Sequence, residues 1–220
     1  MSEEGKNNID YLCVNKMKKF KINKKHVLDH HDELVFRSNK KNNTINFMDD
    51  VNKISIQKFI RYVEKILSDK PSDTDTTITY IVNSPGGSVS SVLLFVDFIK
   101  ITKEKYPNVK FVSIATGCIA SAATIMCIVA DKKYITKYAK AMIHELSSGV
   151  RNSTFTHISS SVNHSIMSTK KLNNIYLNNI RKNKKGKPMI SRRKLDKLLT
   201  NETWFDSYDY VKSGFADEVL

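Results

Sequence analysis

Residues 80–89 read Tyr-Ile-Val-Asn-Ser-Pro-Gly-Gly-Ser-Val, and this stretch decides the fold. A β-branched run at residues 77–82 is typical of a buried strand, and the Ser-Pro-Gly-Gly sequence after it is typical of a tight turn. Apolar residues then recur at helical spacing, at Val89, Val92, Leu93, Val96 and Ile99. The stretch therefore predicts a strand, a tight turn and a helix in direct succession.

Upstream of this stretch, the pattern predicts two short strands and an amphipathic helix. The strand candidates are residues 33–36 and 44–48. From Ser55, which we predict to be the N-cap, apolar residues recur at helical spacing until a Ser-Asp-Lys-Pro sequence ends the pattern at Pro71. Residues 1–32 are polar, mixed in charge and weakly periodic, and we predict a weakly structured arm there.

Downstream, the same alternation of strands and helices continues. Residues 109–115 are predicted as a strand, Gly117 as a turn and residues 120–129 as a buried helix, because nearly all of their side chains are apolar. Two short strands are predicted at 133–135 and 141–143, and a long polar helix or helix pair at 154–183. A short helix is predicted at 192–199, and a final helix-turn-strand at 208–220. This order predicts an α/β domain.

Composition and charge limit the function classes. The chain has 36 Lys and Arg residues and 22 Asp and Glu residues, a formal net charge of +14. The basic clusters at residues 16–25, 40–41 and 181–197 lack interleaved aromatic residues, so we predict only non-specific affinity for nucleic acid. The three cysteines have neither metal-ligand nor disulfide spacing, and no apolar leader or membrane-length stretch is present. We therefore expect a cytoplasmic protein without a metal site.

Three short blocks carry candidate chemistry. Ser121 is predicted at the first turn of a buried helix, where free backbone N–H groups favour a developing negative charge. The N–H groups of Gly87 and Ala122 are candidates for an oxyanion hole. His144 follows a strand, and imidazole is the commonest base for a serine hydroxyl.

Each block also has a simpler interpretation. The glycine turn at Pro85 to Gly87 is compatible with a plain strand-to-helix connection, and the small residues around Ser121 are compatible with close packing of a helix on a sheet. A single histidine after a strand is often a structural residue. The three blocks in this order nevertheless favour a serine hydrolase.

These blocks resemble the signature sequences of the ClpP family of serine endopeptidases. The matching segments are Asn83 to Val89, Gly117-x-x-Ala120-Ser121, Met142-Ile143-His144 and the closing Gly214 to Val219. The resemblance covers residues 33–220 in block order. It implies a crotonase-like α/β fold, a ββα superhelical head with a protruding handle helix at about residues 154–183.

The resemblance also implies a role for each site residue. Ser121 corresponds to the nucleophile, His144 to the general base and acid, and the backbone amides of Gly87 and Ala122 to the oxyanion donors. No cofactor is implied. The substrate peptide is expected as an added strand between two segments of this chain, formed by Gly86, Gly87, Ser88 and Val89 and by Ser147, Ser148 and Gly149.

The third member of the triad is where the sequence departs from the family. The family's Asp-Thr-x-Arg-Asp-x-Phe segment falls on about Leu198 to Trp204, where Glu202 is the only carboxylate. A glutamate fulfils this role in triads on other folds. We therefore predict Glu202 as the third member, with Asp206 and Asp196 as alternatives. The Glu-Thr-Trp block resembles phage-type and other divergent relatives.

The segment at residues 154–183 bears on assembly. It is polar apart from an apolar stripe formed by Ile158, Val162, Ile166, Leu172, Ile175 and Tyr176. The resemblance implies that this helix pairs with its copy in another subunit, giving a homo-oligomeric ring or stacked rings that act on peptides or unfolded chains. Residues 145–149 and the N-terminus do not match the family, which weakens the expectation that an AAA+ unfoldase docks.

The main hypothesis is therefore a serine endopeptidase that works through an acyl-enzyme. One alternative is a catalytically degenerate, structural subunit of a mixed ring. Another is a polyanion-binding protein on the same fold, suggested by the net charge of +14. An acyl-CoA hydratase relative is disfavoured, because those enzymes use carboxylates rather than a serine-histidine pair.

Overall fold

The computed structural model describes residues 43–68, 70–71, 73–147, 149 and 153–220. In these residues the strands are β1 (Thr44–Phe47), β2 (Thr76–Ser84), β3 (Val109–Ala120), β4 (Lys132–Ile135), β5 (Lys140–Ile143), β6 (Thr203–Phe205) and β7 (Glu218–Val219). The helices are α1 (Lys53–Ser68), α2 (Val89–Lys105), α3 (Ala122–Ile128), α4 (Phe155–Asn179), α5 (Arg192–Thr200) and α6 (Ser207–Lys212). The predicted arm at 1–32 and the strand candidate at 33–36 lie outside the described residues.

The strands form a single mixed sheet, with the order β1-β2-β3-β4-β7 along its main path. These neighbours are parallel, whereas β5 pairs in parallel with β3 and antiparallel with β6. Parallel neighbours need a crossover connection, and α1 and α2 supply it between β1, β2 and β3. The predicted α/β architecture is confirmed.

Strand β3 changes its neighbour halfway along its length. Val112 to Ala115 pair with β4, and Cys118 to Ala120 pair with β5. Gly117, with φ 56°, bends the strand between the two halves, and the Asn83 side chain accepts a hydrogen bond from Cys118 N at 3.1 Å. The predicted turn at Gly117 was wrong, because pairing with β5 keeps the chain extended up to Ala120. The predicted buried helix forms, but it begins at Ala122 rather than at residue 120.

The N-cap of α1 also differs from the prediction. Asn52 Oδ1 accepts hydrogen bonds from the N–H groups of Ile54 and Ser55, at 2.9 and 3.0 Å. Ser55 lies inside the helix, fully buried, and its hydroxyl donates to the Asp50 carbonyl at 2.6 Å. The Ser55 N-cap was therefore wrong by one turn: Asn52 takes that role, as asparagine commonly does.

The long polar segment forms a single helix, α4, rather than a helix pair. Thr154 caps its start, and the helix ends at Asn179. The chain beyond that point leaves the helical path because Arg181 N donates to the Gly214 carbonyl and Arg181 O accepts from Met189 N. Within the described residues, no helix is both long and apolar enough to cross a membrane.

Two aromatic clusters lie in the core, and one tyrosine of each cluster hydrogen-bonds to α3. Phe59, Tyr80 and Phe95 meet with ring centroids 4.9–5.8 Å apart. In the second cluster, Phe215 contacts the rings of Tyr176, Phe205 and Tyr210 at 5.1–5.8 Å. The second cluster fixes the C-terminal part of α4 against the head, close to the predicted site.

Candidate active site

Ser121 and His144 meet at the ends of two paired strands. Ser121 follows β3 and His144 follows β5, and the register pairs Ala120 with Met142. This pairing brings His144 Nε2 to 2.8 Å from Ser121 Oγ, within hydrogen-bond distance. Both side chains are partly exposed. The two residues that the sequence suggested as a pair are in contact, as nucleophilic activation requires.

The backbone at Ser121 has an unusual conformation. Its φ is 51° and its ψ is −124°, which few residues other than glycine adopt. The surrounding chain holds it there: Ser121 N donates to Met142 O at 2.8 Å, and Ser121 O accepts from Thr124 N at 3.0 Å and from Thr124 Oγ1 at 2.6 Å. Such strain is concentrated at functional sites.

The glycine turn packs directly against Ser121. Gly86 has φ 95°, and a methyl group in place of its hydrogen would lie 2.5 Å from Ala120 O and 2.8 Å from Ser121 Cβ. Gly87 has φ 144° and lies so close to Val51 that an added methyl group would meet Val51 O at 2.4 Å. Glycine is therefore required at both positions by backbone conformation and by space.

The N–H groups of Gly87 and Ala122 are available for a ligand. Among the described residues, neither group donates a hydrogen bond to the protein. Both residues line the pocket that also contains Ser121 and His144. Two free backbone donors beside a serine that contacts a histidine match the composition of an oxyanion hole.

The pocket beside Ser121 has a volume of about 130 Å³ and a largely apolar wall. Its apolar lining comes from Val89, Val92, Ile125, Leu146, Leu172, Tyr176 and Leu199. Gly87, Val89 and Ser147, predicted to flank a peptide, also line it. Ser88 instead caps α2, and Gly149 is exposed and is not part of the lining. Ser148 lies outside the described residues.

None of the three candidate carboxylates contacts His144 in the described part of the chain. Glu202 is exposed with φ 47°, and no hydrogen bond or ion pair joins its side chain to the imidazole. Asp206 accepts from Asp209 N at 2.8 Å and so caps α6. Asp196 accepts from Arg192 Nε at 3.1 Å and from Asn173 Nδ2 at 3.0 Å. Asp196 and Asp206 thus have other hydrogen-bond partners.

Sequence reasoning missed a pair of hydroxyl groups beneath the site. Thr124 Oγ1 and the Tyr176 hydroxyl lie 2.6 Å apart in the core. The sequence pattern places Tyr176 in the apolar stripe, but its side chain is 3% exposed, and burial raises the pKa of its hydroxyl. Thr124 is the only hydroxyl-bearing residue of α3. A single hydroxyl in an otherwise apolar helix is the sequence feature that could have indicated a buried hydrogen bond.

The arrangement supports acyl transfer by a serine activated by histidine, with backbone donors for a negatively charged oxygen. No group of three or more His, Cys, Asp or Glu side chains in the described residues is arranged to hold a metal ion.

Comparisons with known proteins point to one family. A family model described as Clp protease matches residues 29–220. The ATP-dependent Clp protease proteolytic subunit 1 of Protochlamydia amoebophila is 25% identical over 152 residues, which cover 68% of this chain and 68% of the relative. The ATP-dependent Clp protease proteolytic subunit of Streptococcus mutans is 27% identical, over 67% of this chain and 70% of the relative.

A third relative, the ATP-dependent Clp protease proteolytic subunit 1 of Chlamydia trachomatis, is 26% identical over 65% of this chain and 69% of its own length. The family model spans all of the described residues, and the sheet and helices fit the ClpP-type fold that the sequence blocks predicted. The chain therefore belongs to the Clp protease family.

Proposed function

We propose that this chain is a serine-type endopeptidase that cleaves peptide bonds through an acyl-enzyme on Ser121. The observation that carries the proposal is the 2.8 Å contact between His144 Nε2 and Ser121 Oγ. Membership of the Clp protease family supports it, because the similar relatives are named as proteolytic subunits.

In the proposed acylation step, Ser121 Oγ attacks the substrate carbonyl carbon while His144 Nε2 takes the hydroxyl proton. The N–H groups of Gly87 and Ala122 stabilise the negative charge that develops on the carbonyl oxygen. His144 then transfers the proton to the departing amine, which leaves the acyl group bonded to Ser121.

Deacylation repeats these steps with water as the nucleophile. His144 takes a proton from water, the hydroxide attacks the ester carbonyl, and the proton returns to Ser121 Oγ as the acid leaves. The apolar pocket beside Ser121 accommodates a side chain of the bound peptide. Glu202 completes the triad by orienting the imidazole.

The proposed working form is a homo-oligomeric ring or a pair of stacked rings that encloses the sites. The exposed N-terminal half of the apolar stripe, formed by Ile158, Val162 and Ile166, supports this proposal, whereas the C-terminal half packs on the core of the same chain. The similar relatives of this chain are named as subunits of an ATP-dependent protease, so an ATPase of the AAA+ class is the partner to test for. We propose no specific nucleic-acid ligand.

Labelling with a fluorophosphonate probe tests the proposal. The wild type is expected to form one covalent adduct at Ser121, located by mass spectrometry, and Ser121→Ala is expected to form none. We expect Ser121→Ala and His144→Ala to lose on the order of 10³-fold or more in kcat/KM for an unstructured peptide, as loss of triad members does.

The main alternative is a degenerate subunit that keeps the fold without the activity. It is favoured by one observation, the lack of a carboxylate contact to His144 among the described residues. An oligomeric wild type that remains unlabelled would support that alternative. Salt-sensitive binding of nucleic acid by an unlabelled protein would instead favour the polyanion-binding hypothesis.

A further inference from the structure

Two buried hydroxyl groups connect α4 to the carbonyl group of Ser121. The Tyr176 hydroxyl lies 2.6 Å from Thr124 Oγ1, which in turn lies 2.6 Å from the Ser121 carbonyl oxygen. Thr124 is 0% exposed and Tyr176 is 3% exposed. The contacts form a continuous chain from α4 to the residue whose side chain contacts His144.

The direction of these hydrogen bonds follows from the groups involved. A carbonyl oxygen only accepts, so the Thr124 hydroxyl must use its one hydrogen on Ser121 O. The Tyr176 hydroxyl must then donate to Thr124 Oγ1. Burial raises the pKa of Tyr176, so the phenol keeps its proton at neutral pH and the donor is always present.

The same hydrogen bonds fix the orientation of the neighbouring N–H group. The Ser121 carbonyl and the Ala122 N–H belong to one planar peptide group and point in opposite directions. Contacts that hold the carbonyl oxygen therefore also aim the N–H. Such contacts are needed because Ser121, with φ 51° and ψ −124°, lies in a sparsely populated backbone conformation.

We propose that Thr124 and Tyr176 are positioning residues that aim the Ala122 N–H at the oxyanion formed during peptide hydrolysis. This inference rests on the proposed function, which makes that N–H an oxyanion donor. Neither hydroxyl needs to touch the substrate, because both act through the Ser121–Ala122 peptide group. Aligned hydrogen bonds also polarise one another, which strengthens the Ala122 N–H as a donor.

The chain offers both the variants and a matched control. Tyr176→Phe and Thr124→Val remove one hydroxyl each with little change in volume, whereas Thr124→Ser keeps the hydroxyl. Tyr80→Phe is the control, because the Tyr80 hydroxyl donates to Met126 O at 2.7 Å, at the opposite end of the same helix. The control removes a comparable buried hydrogen bond without affecting residue 121.

The expected kinetic result is a fall in kcat with KM little changed. Loss of a complete oxyanion donor costs roughly 10²–10³-fold in kcat, so a misaimed donor in Tyr176→Phe or Thr124→Val is expected to cost about tenfold. Thr124 does not line the pocket, so Thr124→Val leaves substrate contacts intact. Thr124→Ser and Tyr80→Phe are expected to retain the wild-type kcat.

A second measurement does not depend on activity. In alanine-selective ¹⁵N spectra, assigned with Ala122→Gly, the Ala122 amide resonance is expected to move in Tyr176→Phe and Thr124→Val and to stay in place in Tyr80→Phe. A wild type without peptidase activity contradicts the proposed function. In that case the Ala122 amide resonance of the variants alone tests whether Thr124 and Tyr176 orient the N–H group. An active protein whose kcat survives both substitutions, or an unmoved resonance, overturns the inference.

Discussion

Glu202 directly precedes β6, and β6 pairs with β5, the strand that ends one residue before His144. Strands β5 and β6 are antiparallel, and Ile143 pairs with Thr203. Glu202 and His144 are the residues next to this last pair, and Glu202, with φ 47°, lies in the turn that leads into β6. We expect the exposed carboxylate to reach the ring in the substrate complex, because catalytic hydrogen bonds commonly tighten only when substrate binds.

Glu202→Gln should therefore lower kcat by on the order of 10²-fold or more, because a neutral amide neither stabilises the imidazolium nor selects the correct tautomer. The measurement is hydrolysis of an unstructured peptide at saturating concentration, with intact fold checked by circular dichroism. Asp206→Asn is the matched control, since asparagine keeps the N-cap hydrogen bond of α6 while removing the charge.

Asp196→Asn provides the second comparison, because Asp196 is held by Arg192 and Asn173 between α4 and α5. Both controls are expected to retain kcat close to the wild type. If Asp206→Asn or Asp196→Asn abolished turnover while Glu202→Gln did not, the third position of the triad would belong to that aspartate.

Helix α3 is held at both ends by buried hydroxyl groups. The Tyr176 hydroxyl contacts Thr124 in its first turn. The Tyr80 and Ser113 hydroxyls donate to the carbonyls of Met126 and Cys127 in its last turn, at 2.7 and 2.8 Å. Carbonyl groups in the last turn of a helix have no partner within the helix, and the Cys127 carbonyl also accepts from Ala130 N at 3.4 Å. A helix of seven mainly apolar residues thus has its position in the core specified by a few polar contacts.

Two buried tyrosines should respond in opposite ways to loss of the hydroxyl. Tyr80→Phe removes the hydrogen bond to Met126 O and should lower the free energy of unfolding by about 0.5–1.5 kcal/mol. Tyr210 is 1% exposed, and its hydroxyl has no partner among the described residues. Tyr210→Phe should therefore be neutral or stabilising, by up to about 1 kcal/mol, since it removes an unpaired polar group.

Urea unfolding of the two variants and the wild type measures these changes in the free energy of unfolding. The Tyr210–Phe215 ring stack, at 5.1 Å, remains possible with phenylalanine, so packing is not expected to hide the effect. A Tyr210→Phe variant destabilised as much as Tyr80→Phe would show that the Tyr210 hydroxyl has a partner in solution.

The sequence predicted those elements in which local pattern and long-range pairing agree. The strand, glycine turn and helix at residues 76–105 follow the apolar spacing closely. The segment around Gly117 differs from the prediction, because small residues suit both a turn and an extended strand. Pairing of Cys118 to Ala120 with β5 keeps this segment extended. The N-cap predicted at Ser55 was wrong for a related reason: the Ser55 hydroxyl has an acceptor in the preceding loop, which spacing does not reveal.

The residues of the site also fall into those that the local sequence predicts and those that only the fold brings together. Ser121, His144 and the glycine turn belong to short sequence blocks, and the pairing of β3 with β5 brings the serine and histidine together. Thr124 and Tyr176 are 52 positions apart, and only the packing of α4 against α3 brings their hydroxyls into contact. A network between distant helices has no local sequence pattern, so it required the three-dimensional structure.

At the scale of the whole molecule, α4 presents an uncharged face to the surroundings. Residues 155–169 contain no Lys, Arg, Asp or Glu, although charged residues make up 26% of the chain. Ile158, Val162 and Ile166 follow one another at intervals of four and are 42, 52 and 47% exposed. Side chains at this spacing form a stripe along one helix face, and such a stripe is typical of a protein interface.

The stripe is most simply covered by the same stripe of a second copy, because a two-fold contact buries both at once and needs no other partner. Mass photometry should therefore report the wild type as a multiple of 25.2 kDa. The double substitution Ile158→Asp and Val162→Asp should reduce that mass, because four carboxylates would face one another across each contact. Ile54→Asp with Ile101→Asp is the matched control, since both residues are more than half exposed on other helices. An active, monodisperse wild-type monomer at micromolar concentration would contradict the pairing of α4.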